Sequence, residues 1–201
     1  MTRKKIIYRN ANSGDVGSLV ALEERVWGHM AAHEDKWRSR INIFPDGVWI
    51  AESRDIIGVL VAHIIQWDEK NGFPTWEEAS GDGFIRNHDI NGNVLYGIDF
   101  TVEEKTGKNV AVRLLEFPTN MAKESKQFKG MTGARIPSLC KKIRKKDLAK
   151  ASDEDILRLA KKDPTVNFFL QHGYRIIGIK KDYFSVDEES FGYGAMLEVI
   201  K

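Results

Sequence analysis

The segment from Leu95 to Leu115 constrains the fold more than any other part of the sequence. Its first eight residues, LYGIDFTV, are apolar enough for a buried β-strand, and a short polar loop containing Gly107 follows them. From Val110 onward, apolar residues recur at the spacing of an amphipathic helix. The loop amides and the unpaired N–H groups of the first helical turn then converge where the helix dipole is positive. The segment therefore predicts an anion-binding site between a strand and a helix.

Length and composition favour one globular domain over residues 1–201. Of the 201 residues, 42% are hydrophobic and 30% are charged, so the chain can bury a sizeable core. Glycine and proline are dispersed, and no tract of them separates two domains. The formal net charge of +2 does not indicate a nucleic-acid-binding face. We interpret the basic run 141–146 as a solvated helix face, with nucleic-acid binding as the less favoured alternative.

Cysteine content and hydropathy favour the cytoplasm. The single cysteine, Cys140, excludes an internal disulfide framework and fits a reducing compartment. The N-terminal residues lead directly into a β-strand pattern without the apolar segment of a signal peptide. No uninterrupted run approaches the roughly 18 apolar residues that a membrane span requires. We therefore expect a cytoplasmic protein without a membrane partner.

The rest of the chain alternates between β and α patterns. Strand patterns occur at 6–9, 49–52, 56–65, 94–102, 130–136, 174–179 and 192–200. Helical patterns occur at 16–26, at 35–43, from 110 onward, over 137–162, and after Asp163-Pro164. Pro118 is predicted to kink the helix that begins near Val110 or to split it in two. The fold class is therefore a mixed α/β sandwich with a mainly antiparallel sheet.

A long excursion between two strands, 66–93, has the glycine and proline content of a loop. Aromatic side chains lie within it, among them Trp76 and His88. Loops of this length in compact domains are usually functional, so these aromatic residues are candidate walls of a pocket.

The order of the elements, with the loop after the fourth strand, resembles the GNAT superfamily of acyl-CoA N-acyltransferases. In that family the loop carries Gln/Arg-x-x-Gly-x-Gly/Ala, and its backbone amides hold the pyrophosphate of coenzyme A. The residues TGKNVA at 106–111 align with this motif. Thr106 stands in place of Gln/Arg, and Asn109 stands in place of the central Gly. Asn tolerates a left-handed backbone better than most residues, so the loop can keep its shape.

Further segments resemble one GNAT subgroup, the N-terminal acyltransferase domains of proteins whose second half is a nitrilase-type carbon-nitrogen hydrolase. They include FPTW at 73–76, GDGFI at 81–85, GARIP at 133–137 and DEESFGY at 187–193. The resemblance covers most of the chain from Phe44 to Tyr193, and it implies a GNAT-like sheet flanked by helices, with acetyl-CoA (coenzyme A) as cofactor. The cofactor-binding residues that it implies are Phe100, Thr101, Val102, Thr106, Gly107, Lys108, Asn109, Val110 and Ala111.

The resemblance also implies catalytic roles. In the family, a backbone N–H of the fourth strand polarises the acyl carbonyl, and a base takes the proton of the attacking amine. Asp99 is the nearest acid on that strand, although a structural or solvent-facing role stays open. The usual acid of the family, a Tyr, is replaced here by Phe169. Tyr183 and Tyr193 are candidate substitutes, as is Tyr96, each against a core or pocket-wall role.

Four residues are candidates for substrate binding, namely Trp76, His88, Tyr96 and Arg135. Arg135 could bind a carboxylate or phosphate, and an ion pair with a neighbouring acid is equally open. No metal site is expected. The expected partner is a small-molecule or peptide amine, and a homodimer is left open. The alternative to an acetyl-CoA-dependent N-acetyltransferase is a regulatory or binding GNAT-like module that binds acyl-CoA or a partner without turnover. Phe169, Thr106 and Asn109 favour it.

Overall fold

A computed structural model of the protein describes residues 5–148 and 150–201, apart from the side chain of Lys108. Residues 1–4 and 149, which belong to the N-terminal segment and to the helical region 137–162 discussed above, lie outside the described residues. Among the described residues, no helix is long and apolar enough to cross a membrane.

A seven-stranded sheet with the order β1-β2-β3-β4-β5-β7-β6 forms the centre of the fold. Its strands are β1 Ile7–Asn10, β2 Val48–Glu52, β3 Ile56–Ile65, β4 Val94–Val102, β5 Lys129–Arg135, β6 Tyr174–Lys180 and β7 Gly194–Val199. Neighbouring strands are antiparallel except β4 and β5, which are parallel. The predicted mixed, mainly antiparallel sheet is therefore confirmed.

Helices flank this sheet. They are α1 Val16–Trp27, α2 Glu34–Ile43, α3 Trp76–Ser80, α4 Lys108–Glu124, α5 Leu139–Lys142, α6 Lys145–Leu148, α7 Asp153–Ala160 and α8 Pro164–Gln171. α1 contacts β3 and β4, α4 contacts strands from β2 to β5, and α8 contacts β5 and β6. Asp163 caps α8 by accepting from the amides of Thr165 and Val166, with Pro164 at the first position, as the sequence predicts.

Strands β4 and β5 pair only along their first halves. Their hydrogen-bonded register runs from Val94 opposite Lys129 to Gly97 opposite Thr132. At its end, the Thr132 hydroxyl donates to the Gly97 carbonyl oxygen at 2.9 Å. On the other side, the register between β4 and β3 shifts, and this leaves Ile98 without a partner in a β-bulge. Beyond this point β4 and β5 are no longer paired, and a cleft opens between them.

Helix α4 corrects two expectations. It runs through Pro118 without a break, so the predicted split is wrong, because the loss of one N–H is outweighed by a buried apolar face that includes Leu114 and Ala122. The helix also begins at Lys108, and Asn109 lies inside it. The left-handed residue of the loop is Gly107, with φ of 81°, so the expected left-handed tolerance of Asn109 is not used.

Two other segments differ from their sequence patterns. The excursion 66–93 is not structureless, because it contains α3 and a 3₁₀ turn over Glu69–Asn71. Thr75 and Glu78 form a capping box at the start of α3, a signal that the T-x-x-E spacing carries. The helical region 137–162 is divided into α5, α6 and α7, with a new capping box at Ser152 before α7.

Candidate active site

The cleft between β4 and β5 has a volume of about 220 Å³. β4 and β5 form two of its sides, and α1, α3, α4, α8 and the β6–β7 connection supply most of the rest. Most of the lining is apolar, and it includes Trp27, Met30, Ile98, Pro118, Phe169 and Phe184. The ionisable lining side chains are Glu23, Asp99, Arg135, Tyr174 and Tyr183. The cleft therefore brings together Asp99, Tyr183, Trp76, Phe100 and Arg135 from the sequence-based candidates.

Trp76 connects the excursion 66–93 to the bulge in β4. Its indole Nε1 donates to the carbonyl oxygen of Ile98 at 2.8 Å, and its backbone N–H donates to the carbonyl oxygen of Tyr183 at 2.7 Å. The ring centroids of Trp76 and Phe184 are 5.1 Å apart. The first turn of α3 thus forms a wall of the cleft at the point where β4 is irregular.

Tyr183 lines the cleft from the β6–β7 connection. Its ring lies against β5, where a Cβ placed on Gly133 would be 2.1 Å from the Tyr183 Cζ atom. The Tyr183 hydroxyl is 3.3 Å from the hydroxyl of Tyr96, which lies behind the cleft surface. Burial raises the pKa of Tyr183 to about 12 and raises that of Tyr96 well above its usual value. Both phenols therefore keep their protons at neutral pH.

Arg135 at the end of β5 is ion-paired with the buried Asp187. Its Nε and Nη2 donate to the two oxygens of Asp187 at 2.7 and 2.5 Å, and Nη2 also lies 3.1 Å from Glu189. The guanidinium carbon is 5.1 Å from the Trp27 ring centroid. Although burial acts in the opposite direction, hydrogen bonds from Arg135 and Ser190 lower the pKa of Asp187. Of the two roles left open for Arg135, the geometry shows the ion pair.

A buried polar network begins at Asp99. Arg40, only 1% exposed, donates from Nη1 to Oδ2 of Asp99 at 2.7 Å. The hydroxyl of Thr101 lies 3.2 Å from Oδ1 of Asp99 and 2.5 Å from Oε1 of Glu23. Trp27 Nε1 donates to the same hydroxyl oxygen at 2.6 Å. Thr101, a cofactor-binding candidate, thus uses its side chain to join two carboxyl groups.

Glu23 is a site residue that sequence reasoning missed. It is 3% exposed, and Leu19 lies one helical turn before it on the buried face of α1. An acid on an apolar helical stripe was the available signal. Burial, and then the charge of Asp99, raises the pKa of Glu23 to about 8, against the opposing effects of Thr101, Ala32 and Arg40.

The start of α4 provides the expected anion-binding geometry. No side chain caps this helix, and Gly107 precedes it with φ of 81° and ψ of 158°. A Cβ on Gly107 would meet nothing within 4 Å, so the backbone there is open to a ligand. Thr106 turns its hydroxyl to the carbonyl oxygen of Glu103 at 2.6 Å. Val110 is buried, and its N–H donates to the Gly107 carbonyl oxygen at 3.3 Å, while Asn109 is exposed. The helix start that remains open beside Gly107 fits an anionic group.

Phe169 lines the cleft without a hydroxyl group, and Tyr174 lies edge-on to it with ring centroids 5.3 Å apart. The Tyr174 hydroxyl is 3.2 Å from that of Thr119, and burial raises the pKa of Tyr174 to about 12. Tyr174 also lines the cleft and was not a sequence-based candidate, because its position after a glycine indicated only a strand start.

Three of the candidates for catalysis and substrate binding lie away from the cleft surface. Tyr193 and Tyr96 are buried outside its lining. His88 accepts the backbone N–H of Ile64 through Nδ1 at 3.2 Å and stacks on Phe44 with ring centroids 4.4 Å apart. Burial lowers the pKa of His88. These three side chains are therefore outside the cleft lining to which Asp99 and Trp76 belong.

Structures of GNAT proteins share this fold. The GNAT-like decarboxylase GphF, in complex with isobutyryl-CoA, superposes with a TM-score of 0.78 at 24% identity, covering 96% of this chain and 98% of GphF. The loading GNATL domain of CurA from Lyngbya majuscula also gives 0.78, at 19% identity, covering 98% of each chain. The chain therefore has the GNAT fold, and the predicted resemblance is confirmed.

Sequence relatives come from Bacillus subtilis, and no family model matches the chain. The uncharacterized N-acetyltransferase YkwB is 29% identical over 96% of this chain and 88% of its own length. The probable hydrolase YhcX is 28% identical over 97% of this chain. The chain spans only 38% of the length of YhcX.

Proposed function

We propose that the protein is an N-acyltransferase that moves an acetyl or other acyl group from acyl-CoA to a primary amine. The observation that carries this proposal is the cleft opened by the divergence of β4 and β5, next to the uncapped, glycine-led start of α4. A linear donor with an anionic end and an acyl end fits such a site. The name of the relative YkwB, an uncharacterized N-acetyltransferase, supports the same reaction.

Coenzyme A would lie with its pyrophosphate at the Gly107 end of α4 and its thiol end toward the cleft. The open approach to Gly107 supports this orientation. The unpaired edge of β4, including Phe100, would supply backbone groups to the pantetheine arm. Structures that share the fold contain such ligands, among them NatC bound to Gag peptide and CoA, with a TM-score of 0.59 at 14% identity.

The chemistry needs an N–H donor for the acyl carbonyl, a base for the amine and a proton for the departing sulfur. A backbone N–H of the unpaired β4 edge near the Ile98 bulge would be the donor. Asp99, which lines the cleft, would accept the proton of the amine. Tyr183 keeps its proton at neutral pH and lines the same cleft, so we place it before Tyr193 as the acid.

The acceptor would enter between the Trp76 wall and the end of β5. Arg135 is compensated there by Asp187 and Glu189, so it would shape the pocket and not hold a free carboxylate. The apolar lining near Trp27 and Met30 fits the carbon skeleton of a small-molecule amine or of a peptide N-terminus.

Thiol release from acetyl-CoA, measured with a panel of primary amines, tests the proposal. We expect amine-dependent thiol release, an acetylated product by mass spectrometry, and a rate lowered about 10²-fold or more by Asp99→Asn. Absence of thiol release with every amine, although CoA binds, would contradict turnover. GphF is a decarboxylase. A parallel assay therefore measures CO₂ release from a carboxylated acyl-CoA without any amine, which distinguishes decarboxylation from acyl transfer.

The second candidate function is an acyl-CoA-binding module without turnover. Phe169 favours it, because a phenyl ring in the cleft has no proton to give to a leaving thiolate. Saturable CoA binding, no product from any acyl donor, and no effect of Asp99→Asn on the background rate would establish this alternative.

A further inference from the structure

The Thr101 hydroxyl has more hydrogen-bond partners than it has protons. It lies within hydrogen-bond distance of three groups: Trp27 Nε1 at 2.6 Å, Glu23 Oε1 at 2.5 Å and Asp99 Oδ1 at 3.2 Å. The indole can only donate, so it occupies one lone pair of the hydroxyl oxygen. The single hydroxyl proton is then left to serve two carboxyl groups.

Two ionised carboxylates cannot both be satisfied by this one proton. If both were charged, one of them would face a lone pair of Thr101 in a site where Glu23 and Thr101 are almost fully buried. An unsatisfied buried charge is costly. If Glu23 carries a proton, it donates to Thr101, and Thr101 donates to Asp99. The hydroxyl oxygen then accepts from Trp27 and from Glu23, and the hydroxyl proton is donated to Asp99.

The surroundings of the two carboxyl groups determine which of them holds the proton. Arg40 from α2 contacts Asp99 directly at 2.7 Å and is compensated by it. Glu23 has no cation of its own within the network; its second oxygen accepts the Ala32 N–H at 3.3 Å. The charged groups that act on Glu23 are Asp99 from β4 and Arg40 from α2. The proton therefore belongs on Glu23, and the charge belongs on Asp99.

We propose, on the basis of the acyl transfer proposed above, that Glu23 is a positioning residue whose proton directs the Thr101 hydroxyl toward Asp99. In this state Asp99 accepts from Arg40 on one oxygen and from Thr101 on the other, so its carboxylate is fixed at the cleft. When Glu23 ionises, the Thr101 proton turns to Glu23. Asp99 then loses one donor and faces a second negative charge.

Burial and the charge of Asp99 raise the pKa of Glu23 to about 8, so the change of state falls just above neutral pH. The rate of the proposed transfer should therefore change near this pH because Glu23 in α1 titrates there, whatever the pKa of the amine. A purely structural glutamate would influence stability but would not give this pH dependence.

The first test needs neither a ligand nor turnover. Carbon-13 NMR of the glutamate side-chain carboxyl groups follows the titration of each group in the free protein. We expect one glutamate to titrate near pH 8, to be missing from Glu23→Gln, and to titrate at lower pH in Asp99→Asn. Titration of Glu23 near the ordinary glutamate value of 4.5, or an unchanged midpoint in Asp99→Asn, would overturn the assignment.

The second test uses the pH dependence of thiol release. Glu23→Ala should lower kcat about tenfold, and Glu23→Gln, which can still donate to Thr101, should recover most of that loss and remove the change near pH 8. Glu24→Gln, on the exposed side of α1, is the matched control and should behave as the wild type. Equal loss in Glu23→Ala and Glu23→Gln, or a pH profile unchanged in Glu23→Gln, would contradict the role in positioning.

The two tests separate this proposal from the proposed function. If no amine supports thiol release while one glutamate titrates near pH 8 and responds to Asp99→Asn, the acyl transfer fails and the role of Glu23 in catalysis fails with it. The proton-sharing network itself then stands. If thiol release occurs while Glu23 titrates normally, the network proposal alone fails.

Discussion

The indole Nε1 of Trp76 donates to the carbonyl oxygen of Ile98 at 2.8 Å, and Ile98 is the residue that bulges out of β4. Trp76, in the excursion 66–93, therefore supplies a hydrogen bond to a carbonyl oxygen of β4 at the position where β4 has no partner in β3. This contact joins the Trp76 wall of the cleft to β4, the strand that would carry the acyl group in the proposed transfer.

Removing this donor should weaken the fold and the site together. Trp76→Phe keeps most of the ring but leaves the Ile98 carbonyl unpaired, so we expect the free energy of unfolding to fall by about 1–3 kcal/mol in urea titrations. The matched control is Trp67→Phe, whose indole donates to Gly72 outside the cleft at an exposed site. A loss no larger in Trp76→Phe than in the control would contradict the importance of the bulge contact.

The Tyr183 ring should leave no space for a side chain at position 133. In Gly133→Ala the new Cβ would lie 2.1 Å from Cζ of the phenol ring, and this ring is buried. We expect a loss of about 1–3 kcal/mol in the free energy of unfolding. Gly17→Ala in α1, where a Cβ meets nothing within 4 Å, should instead be neutral or stabilising by about 0.5–1 kcal/mol. Equal thermal midpoints for the two variants would contradict the packing.

Breaking the ion pair between Arg135 and Asp187 should destabilise the fold, because it would leave a largely buried charge uncompensated. Asp187→Asn leaves the Arg135 charge without its bidentate partner, and we expect a loss of about 3–5 kcal/mol in the free energy of unfolding. Glu34→Gln breaks the exposed pair with Arg38 and should change it by less than about 0.5 kcal/mol. Chemical denaturation measures both, and a small loss in Asp187→Asn would indicate that Glu189 replaces Asp187.

The raised pKa of Glu23 predicts how stability depends on pH. Because the folded state binds this proton more tightly, its contribution is complete below the usual glutamate pKa of 4.5 and is lost as pH rises to about 8. Relative to Glu23→Gln, the free energy of unfolding of the wild type should fall by a few kcal/mol between pH 4.5 and about pH 8, and it should fall no further at higher pH. Urea unfolding of both proteins at several pH values measures the difference, and a difference independent of pH would contradict the raised pKa.

The sequence predicts the central strands well, and it places the start of α4 two residues after Lys108, where the helix begins. These signals are local. β3 and β4 are mainly apolar runs, with His63 in β3 and Asp99 and Thr101 in β4, and Asp163-Pro164 carries its own helix cap. Asp99 and Trp76 could be predicted as cleft residues because one lies on the central strand and the other in an aromatic-rich excursion. The helix α3 has a capping box, but its five residues are too few to show a helical period.

The partners of these residues could not be predicted, because they are distant along the chain. Glu23 and Thr101 are separated by 78 positions, and Arg40 and Asp99 by 59. Arg135 was left between two roles for the same reason, since Asp187 lies 52 residues away. Phe169 could be identified as lacking a hydroxyl group, whereas Tyr174 beside it could not, because its hydroxyl position depends on packing against α4.

Isothermal titration calorimetry with CoA tests directly whether the start of α4 and the adjoining cleft bind an acyl-CoA. It compares the wild type with Gly107→Val and with Gly72→Val, since both glycines have positive φ and open space around them. We expect saturable binding to the wild type and to Gly72→Val, and affinity lower by about tenfold or more in Gly107→Val. Absence of CoA binding to the wild type, or equal affinity in both variants, would contradict acyl-CoA binding at the start of α4.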